Sequence, residues 1–122
     1  MAWHERDPAR WEAEQRIGRY WHPYHQALSA LIEDTRTAFG SAILIDCHSM
    51  PHEAIEAHSR PGQPRPEVVL GDRFGVAAGR EVMDRVEAAF GGAGLRVVRN
   101  APFAGAYVAQ AYGRPLRGVH VV

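Results

Sequence analysis

Hydrophobic positions recur at a helical period across the first third of the chain. Trp11, Ile17, Tyr20, Tyr24, Leu28, Leu31, Ile32 and Phe39 follow it, and the intervening positions are largely polar or charged. Asp7-Pro8 offers a start for this helix, a capping carboxylate followed by proline at the first helical position. Pro23 interrupts the pattern, because proline lacks an N–H donor and disfavours helical geometry in the residue before it, so a break or kink is expected at His22. Gly40 stands where a left-handed helix-terminating residue belongs.

Ala42-Ile43-Leu44-Ile45 follows at once, a short apolar run without alternation. Such a run predicts a strand covered on both faces, as in a parallel sheet. Residues 49 to 66, with Pro51, Pro61, Pro64 and Pro66, read as a long loop. Glu67-Val68-Val69-Leu70 is a second strand candidate, ended by Gly71. Arg80 to Phe90 predicts a helix, with Val82, Val86 and Phe90 on one stripe and Met83 and Ala89 beside it. Gly91 to Gly94 ends that helix, Leu95-Arg96-Val97-Val98 is a third strand, and Val119 to Val122 a fourth. Residues 101 to 115 fit either a loop or a short helix.

Strands alternating with helices predict an α/β fold, a layered, mostly parallel or mixed sheet with flanking helices. A helix precedes any strand and the last strand has no flank, so the pattern is that of an excerpt from a larger sheet. The 122 residues suffice for one small core and one domain. No internal repeat or low-complexity segment is visible.

Composition narrows the function. Fourteen basic residues balance fourteen acidic ones, and the arginines, which are all of the basic residues, are scattered. No basic stripe for nucleic acid results. Cys47 is the only cysteine, which excludes an internal disulfide and a cysteine-rich zinc site and suits a reducing compartment. The opening residues lack the apolar stretch of a signal peptide, and no apolar run approaches the length of a membrane span, so the cytoplasm is the expected location.

The most informative stretch is Leu44-Ile45-Asp46-Cys47-His48-Ser49-Met50-Pro51. A buried strand runs directly into a polar turn, and ligands of open α/β sheets collect beyond the carboxyl ends of strands. A neutral imidazole at His48 could bind zinc through one nitrogen while the other donates to a carboxylate or carbonyl. Asp46 is close in sequence, although residues two apart share a face only while extended geometry lasts. Taken alone, a histidine at a strand end is more often a hydrogen-bonded structural residue than a ligand. Cys47 would point to the opposite face from His48 and reads as a buried small hydrophobe rather than a nucleophile. His52 and His58 read as solvated loop residues.

Four motifs occur in order. They are Pro23-Tyr24-His25, then Asp46-Cys47-His48-Ser49-Met50-Pro51, then Leu70-Gly71-Asp72-Arg73-Phe74-Gly75, then Asn100-Ala101-Pro102-Phe103-Ala104-Gly105. Together they resemble the N-formylglutamate amidohydrolase (N-formylglutamate deformylase) family over about residues 17 to 122. The Asp-Cys-His-Ser element is also similar to the His-Ser of zinc carboxypeptidases. The resemblance implies a zinc-carboxypeptidase-like (phosphorylase/hydrolase-like) fold, incomplete here, with His48 as a zinc ligand. It implies hydrolysis of N-formyl-L-glutamate to formate and L-glutamate, a step of histidine degradation, with a small-molecule substrate and neither nucleic acid nor membrane as partner.

The family pattern extends beyond this sequence. A Pro-His-Ser-Gly segment, a further carboxylate ligand and an Asn-Arg segment for the substrate carboxylate lie upstream of what is matched. A Gln-x-Glu segment, whose Glu is the expected general base, lies downstream of Val122. Arg73 and Asn100, on loops after strands, are the candidates for substrate contact or for positioning the site. The alternatives are an ion pair of Arg73 with Asp72 and a turn-capping role for Asn100. Ala106 stands where the family usually has a second glycine, a departure that bears on the turn after Phe103. The chain is expected to be a single partial hydrolase domain, inactive or nearly so by itself, because one ligand cannot hold a catalytic zinc. Two other readings are a non-catalytic remnant of such an enzyme and a related zinc hydrolase acting on another acylamino acid or a peptide.

Overall fold

The computed structural model describes residues 8–122, so the expected cap at Asp7 lies outside the described residues. Helix α1 (Pro8–Arg16) passes through a π-helical turn (Ile17–Trp21) into α2 (His22–Phe39). The expected break at Pro23 does not occur. His22 keeps right-handed helical angles, and its N–H reaches back five residues to the Ile17 carbonyl. Widening the turn ahead of proline lets the helix continue despite the missing donor. Gly40, at φ 81°, closes α2 as expected, its N–H bonded to Arg36 O.

Four short strands follow: β1 (Ala42–Leu44), β2 (Val68–Leu70), β3 (Val97–Arg99) and β4 (Val119–Val121). They form two parallel ladders. β1 pairs with β4, Leu44 opposite Val121, and β2 pairs with β3, Leu70 opposite Arg99. Between β1 and β2 the expected loop contains a helix, α3 (His52–Glu56), with Pro51 just before its first turn. Proline there loses no helical hydrogen bond, so the proline-rich segment accommodates one. α4 (Arg80–Gly92) runs two residues further than the glycine signal implies, and α5 (Tyr107–Tyr112) resolves the ambiguity over residues 101 to 115 as a helix.

The core is built in three patches around the strands. Ile32 of α2 packs on Ala42 and Val119, with Leu28, Leu44 and Tyr112 around them. Met83 of α4 packs on Leu70 and Ala78, flanked by Val68, Val86, Phe90, Val97 and Val122. Val121 is enclosed by Ala77 and Ala109. Met83, rather than Val82, is thus the centre of the α4 stripe, and its burial is worth about 1.5–3 kcal/mol. Arg99 of β3 donates to Asp84 (2.8 Å) and Glu87 of α4, which fixes the outer edge of that helix and holds the guanidinium pKa above its ordinary value.

One expectation for β1 fails. α2 covers Ala42 and Leu44, but Ile43 and Ile45 on the opposite face are 53% and 44% exposed. Cys47, in phase with them, is also exposed instead of buried. Alternation along extended chain assigns all three to a face that no described helix covers.

Candidate active site at the carboxyl end of β1

The backbone stays extended past the last residue of β1, since Asp46 N–H still bonds Val122 O at 2.9 Å. Asp46 and His48 therefore remain in phase and their side chains meet. His48 Nε2 lies 2.9 Å from Asp46 Oδ2. An ionised carboxylate only accepts, so Nε2–H donates and the Nδ1 lone pair is left free. The imidazole is half exposed and Asp46 more enclosed, with side-chain exposures of 54% and 25%. Both border a cleft of about 680 Å³ between this segment, β2 and α4.

Asp46 and His48 share that cleft with His52, Arg65, Glu67 and Arg96. Arg96 is committed, its Nε–H donating to Arg65 O at 2.6 Å and its Nη1 lying 3.5 Å from Glu67. Arg65 donates to His52 Nε2 and to Glu56 Oε1, each at 2.8 Å, and so links these two side chains along one wall. Sequence reasoning passed over Arg65. The only local signal is its position between Pro64 and Pro66, which stiffen the approach to β2.

Arg73 and Asn100 are not among the residues bordering the cleft. They belong to an interlock between the third and fourth motifs. Asn100, at φ 57°, accepts the Asp72 N–H on Oδ1 at 3.0 Å and donates from Nδ2 to Asp72 Oδ1 at 2.8 Å. Asp72 is thereby buried and engaged with Asn100, not paired with Arg73. Arg73 and Phe74 both have positive φ, 52° and 57°, and Arg73 N–H bonds Ala104 O at 2.7 Å. A side chain at Gly71 would come within 2.4 Å of Gly105 N, so only glycine permits this approach. Gly105 carries the unusual φ of 122°, whereas Ala106 sits at φ −89°, an angle that any residue adopts. The loss of the second glycine therefore leaves this backbone unstrained.

The first motif is not among the residues bordering the cleft. His25 Nδ1 lies 2.6 Å from Tyr112 Oη, and the ring packs beside Trp21 and Tyr107. The contact ties α2 to α5. Similarly, His120 on β4 accepts the Gly79 N–H on Nδ1 at 2.9 Å, which ties β4 to the residue preceding α4.

Among the described residues, no group of three His, Cys, Asp or Glu side chains converges closely enough to hold a metal. His48 nevertheless has the chemistry of one metal donor, namely an accessible nitrogen lone pair on a ring oriented by a carboxylate. No described helix is long and apolar enough to cross a membrane.

Comparison with known proteins agrees with this architecture. The chain is 29% identical over 116 residues to N-formylglutamate deformylase of Pseudomonas aeruginosa strain PAO1, and 28% identical to that of Pseudomonas putida. Each match covers 94% of this chain, which spans 42% of the length of either relative. The crystal structure of N-formylglutamate amidohydrolase from Ralstonia eutropha JMP134 superposes with a TM-score of 0.79 at 34% identity, over 90% of this chain and 40% of that one. A sequence model described as N-formylglutamate amidohydrolase matches residues 1–122, and the chain accordingly belongs to that family.

Proposed function

We propose that this chain carries the His48 side of a zinc-dependent amide hydrolase that splits N-formyl-L-glutamate into formate and L-glutamate. The Asp46–His48 pair at the rim of the cleft is the observation that carries the reading. Support for the reaction comes from the family and from the names of the relatives. His48 would hold the metal through Nδ1, with Asp46 fixing the tautomer through Nε2. Bound there, zinc supplies Lewis acidity toward the formyl oxygen and lowers the pKa of water toward about 7. We further assign the fold to the zinc-carboxypeptidase type, the location to the cytoplasm and the reaction to histidine degradation.

The remaining roles follow from position. Arg65 borders the cleft and would meet a substrate carboxylate by exchanging its pair with Glu56 for the substrate. Arg73 and Asn100 position the site at one remove, by locking the turn after β2 against the loop after β3. The general base is expected from the family's Gln-x-Glu segment. In the β1–β4 ladder Leu44 is level with Val121, so a Glu four positions beyond Val121 would stand level with His48. At that register a proton acceptor would stand beside the proposed metal ligand, as amide hydrolysis needs.

Among the described residues no three His, Cys, Asp or Glu side chains converge, whereas a catalytic zinc needs three protein ligands, so the 122-residue polypeptide is expected to be inactive. The test is a chimera, in which this chain replaces the matching segment of the Pseudomonas aeruginosa relative. We expect formate release from N-formyl-L-glutamate that is lost on chelation and on His48→Ala. Undiminished turnover by His48→Ala, or chelator-sensitive turnover by the 122-residue chain alone, would contradict the proposal.

A further inference from the structure

His52 Nε2 has two neighbours that it cannot serve at the same time. Arg65 Nη1 lies 2.8 Å from it and Glu56 Oε1 lies 3.0 Å from it. A guanidinium only donates and a carboxylate only accepts, so Nε2 must be a bare lone pair for the first and a protonated N–H for the second. Arg65 Nη2 also lies 2.8 Å from Glu56 Oε1, and the guanidinium thus bridges both groups. With Arg65 in place, the neutral ring accepts and the carboxylate has its cation. With Arg65 gone, the Nε2 lone pair faces an anionic oxygen. A proton on Nε2 turns that repulsion into a charge-assisted hydrogen bond.

Arg65 is free to make that move. Its side chain is half exposed and borders the cleft, while Pro66 restricts its backbone. His52 and Glu56 are exposed as well, which keeps both pairs weak enough to exchange in water. We infer that His52 is a positioning residue for Arg65. When the guanidinium turns from Glu56 to a carboxylate in the cleft, His52 takes a proton from solvent at Nε2 and donates to Glu56 in its place. The remaining charged groups of the cleft are already matched, Asp46 with His48 and Glu67 with Arg96. Glu53, next to His52 on α3, does not border the cleft. Glu56 is therefore the carboxylate that loses its cation when Arg65 departs. Carboxylate binding and proton uptake are then coupled, each favouring the other by the same factor. Both favour the released arrangement, so affinity rises as pH falls from about 8 to about 5, where imidazoles gain charge. This coupling rests on the proposed role of Arg65 toward the substrate carboxylate, and no metal enters it.

The experiment titrates the metal-free, 15N-labelled 122-residue chain with N-formyl-L-glutamate at about pH 8 and about pH 5.5, a span over which carboxylates of this kind stay largely ionised. The histidine ring nitrogens and the Arg65 Nε–H are followed by proton–nitrogen correlation. In the free chain at the higher pH, His52 should carry its proton on Nδ1, leaving Nε2 as the acceptor. Ligand should shift the Arg65 signal and protonate His52 Nε2 together. Affinity read from the Arg65 shift should be at least about fivefold tighter at the lower pH. His52→Gln, an exposed substitution, should remove that gain. A proton on Nε2 in the free chain at pH about 8, or the full gain retained in His52→Gln, would overturn the inference. Binding that shifts Arg65 with equal affinity at both pH values would overturn the coupling and leave the role of Arg65 standing. An Arg65 signal unmoved by ligand at either pH would remove that role, and the coupling with it.

Discussion

Asp46 Oδ2 takes the hydrogen of His48 Nε2, and this single contact selects Nδ1 as the free donor nitrogen. Carboxylates that orient a ligating imidazole contribute about 10–100-fold in metal affinity. Asp46→Asn in the chimera should therefore weaken zinc binding by about that factor without unfolding the protein, as read by chelator competition. Unchanged affinity would leave Asp46 without an orienting role. Gly71 makes the opposite kind of prediction. A methyl group there meets the backbone of Ala104 and Gly105, so Gly71→Ala should destabilise the fold by about 1–3 kcal/mol or more in urea denaturation. The sequence placed His48 at a strand end by its apolar run. It could not decide whether Asp46 would reach it, because that depends on extended geometry persisting beyond the strand, which a bond to Val122 secures. The arginine that shares the cleft was hidden for a similar reason. Arg65 sits in no periodic segment, and only the folding of the proline-rich stretch around α3 brings it to His52.

At the scale of elements, the amphipathic pattern located α2 and α4, and short apolar runs located the strands to within a residue or two. Proline misled the reading twice. It suggested a break at His22, which a π-helical turn avoids, and a featureless loop where α3 forms behind Pro51. In the first case the widened turn compensates for the missing donor, and in the second proline stands where no donor is needed, a distinction that propensity does not register. α4 is anchored by Met83, and Met83→Ala should cost about 2–5 kcal/mol in urea denaturation. α5 depends on the contact between Tyr112 and His25, so Tyr112→Phe should cost about 0.5–1.5 kcal/mol at neutral pH. Burial also raises the Tyr112 pKa above the ordinary tyrosine range, with Tyr107 and Tyr24 adding smaller effects. A raised folded-state value means that the neutral phenol stabilises the fold below the unfolded pKa. That contribution is lost as pH rises through the folded value. Urea midpoints should accordingly fall more steeply at alkaline pH for the native chain than for Tyr112→Phe. Equal slopes would show that Tyr112 does not report on folding.

For the molecule as a whole, the α/β class and a largely parallel pairing were legible from alternating strands and helices, but the covering of β1 was not. Ile43 and Ile45 read as core residues because the apolar run does not reveal which cover lies within the same 122 residues. Motif order identified the family, and two of the motifs proved to interlock around Gly71 and Asn100 while lending Leu70, Gly71, Phe103 and Gly105 to the cleft wall. The cleft and the oriented imidazole lie together at the carboxyl end of β1, beyond its ladder with β4. Everything proposed for the reaction requires that His48 Nδ1 accept a metal ion. The most direct measurement is a zinc titration of the 15N-labelled chain, following the imidazole nitrogens of all its histidines by long-range proton–nitrogen correlation. His48 should show the protonated nitrogen at Nε2 in the free state. Its Nδ1 resonance should shift with added zinc, weakly and reversibly, and the shift should vanish in His48→Gln. A His48 ring unaffected by zinc while other imidazoles respond, or a metal shift on Nε2, would contradict the account.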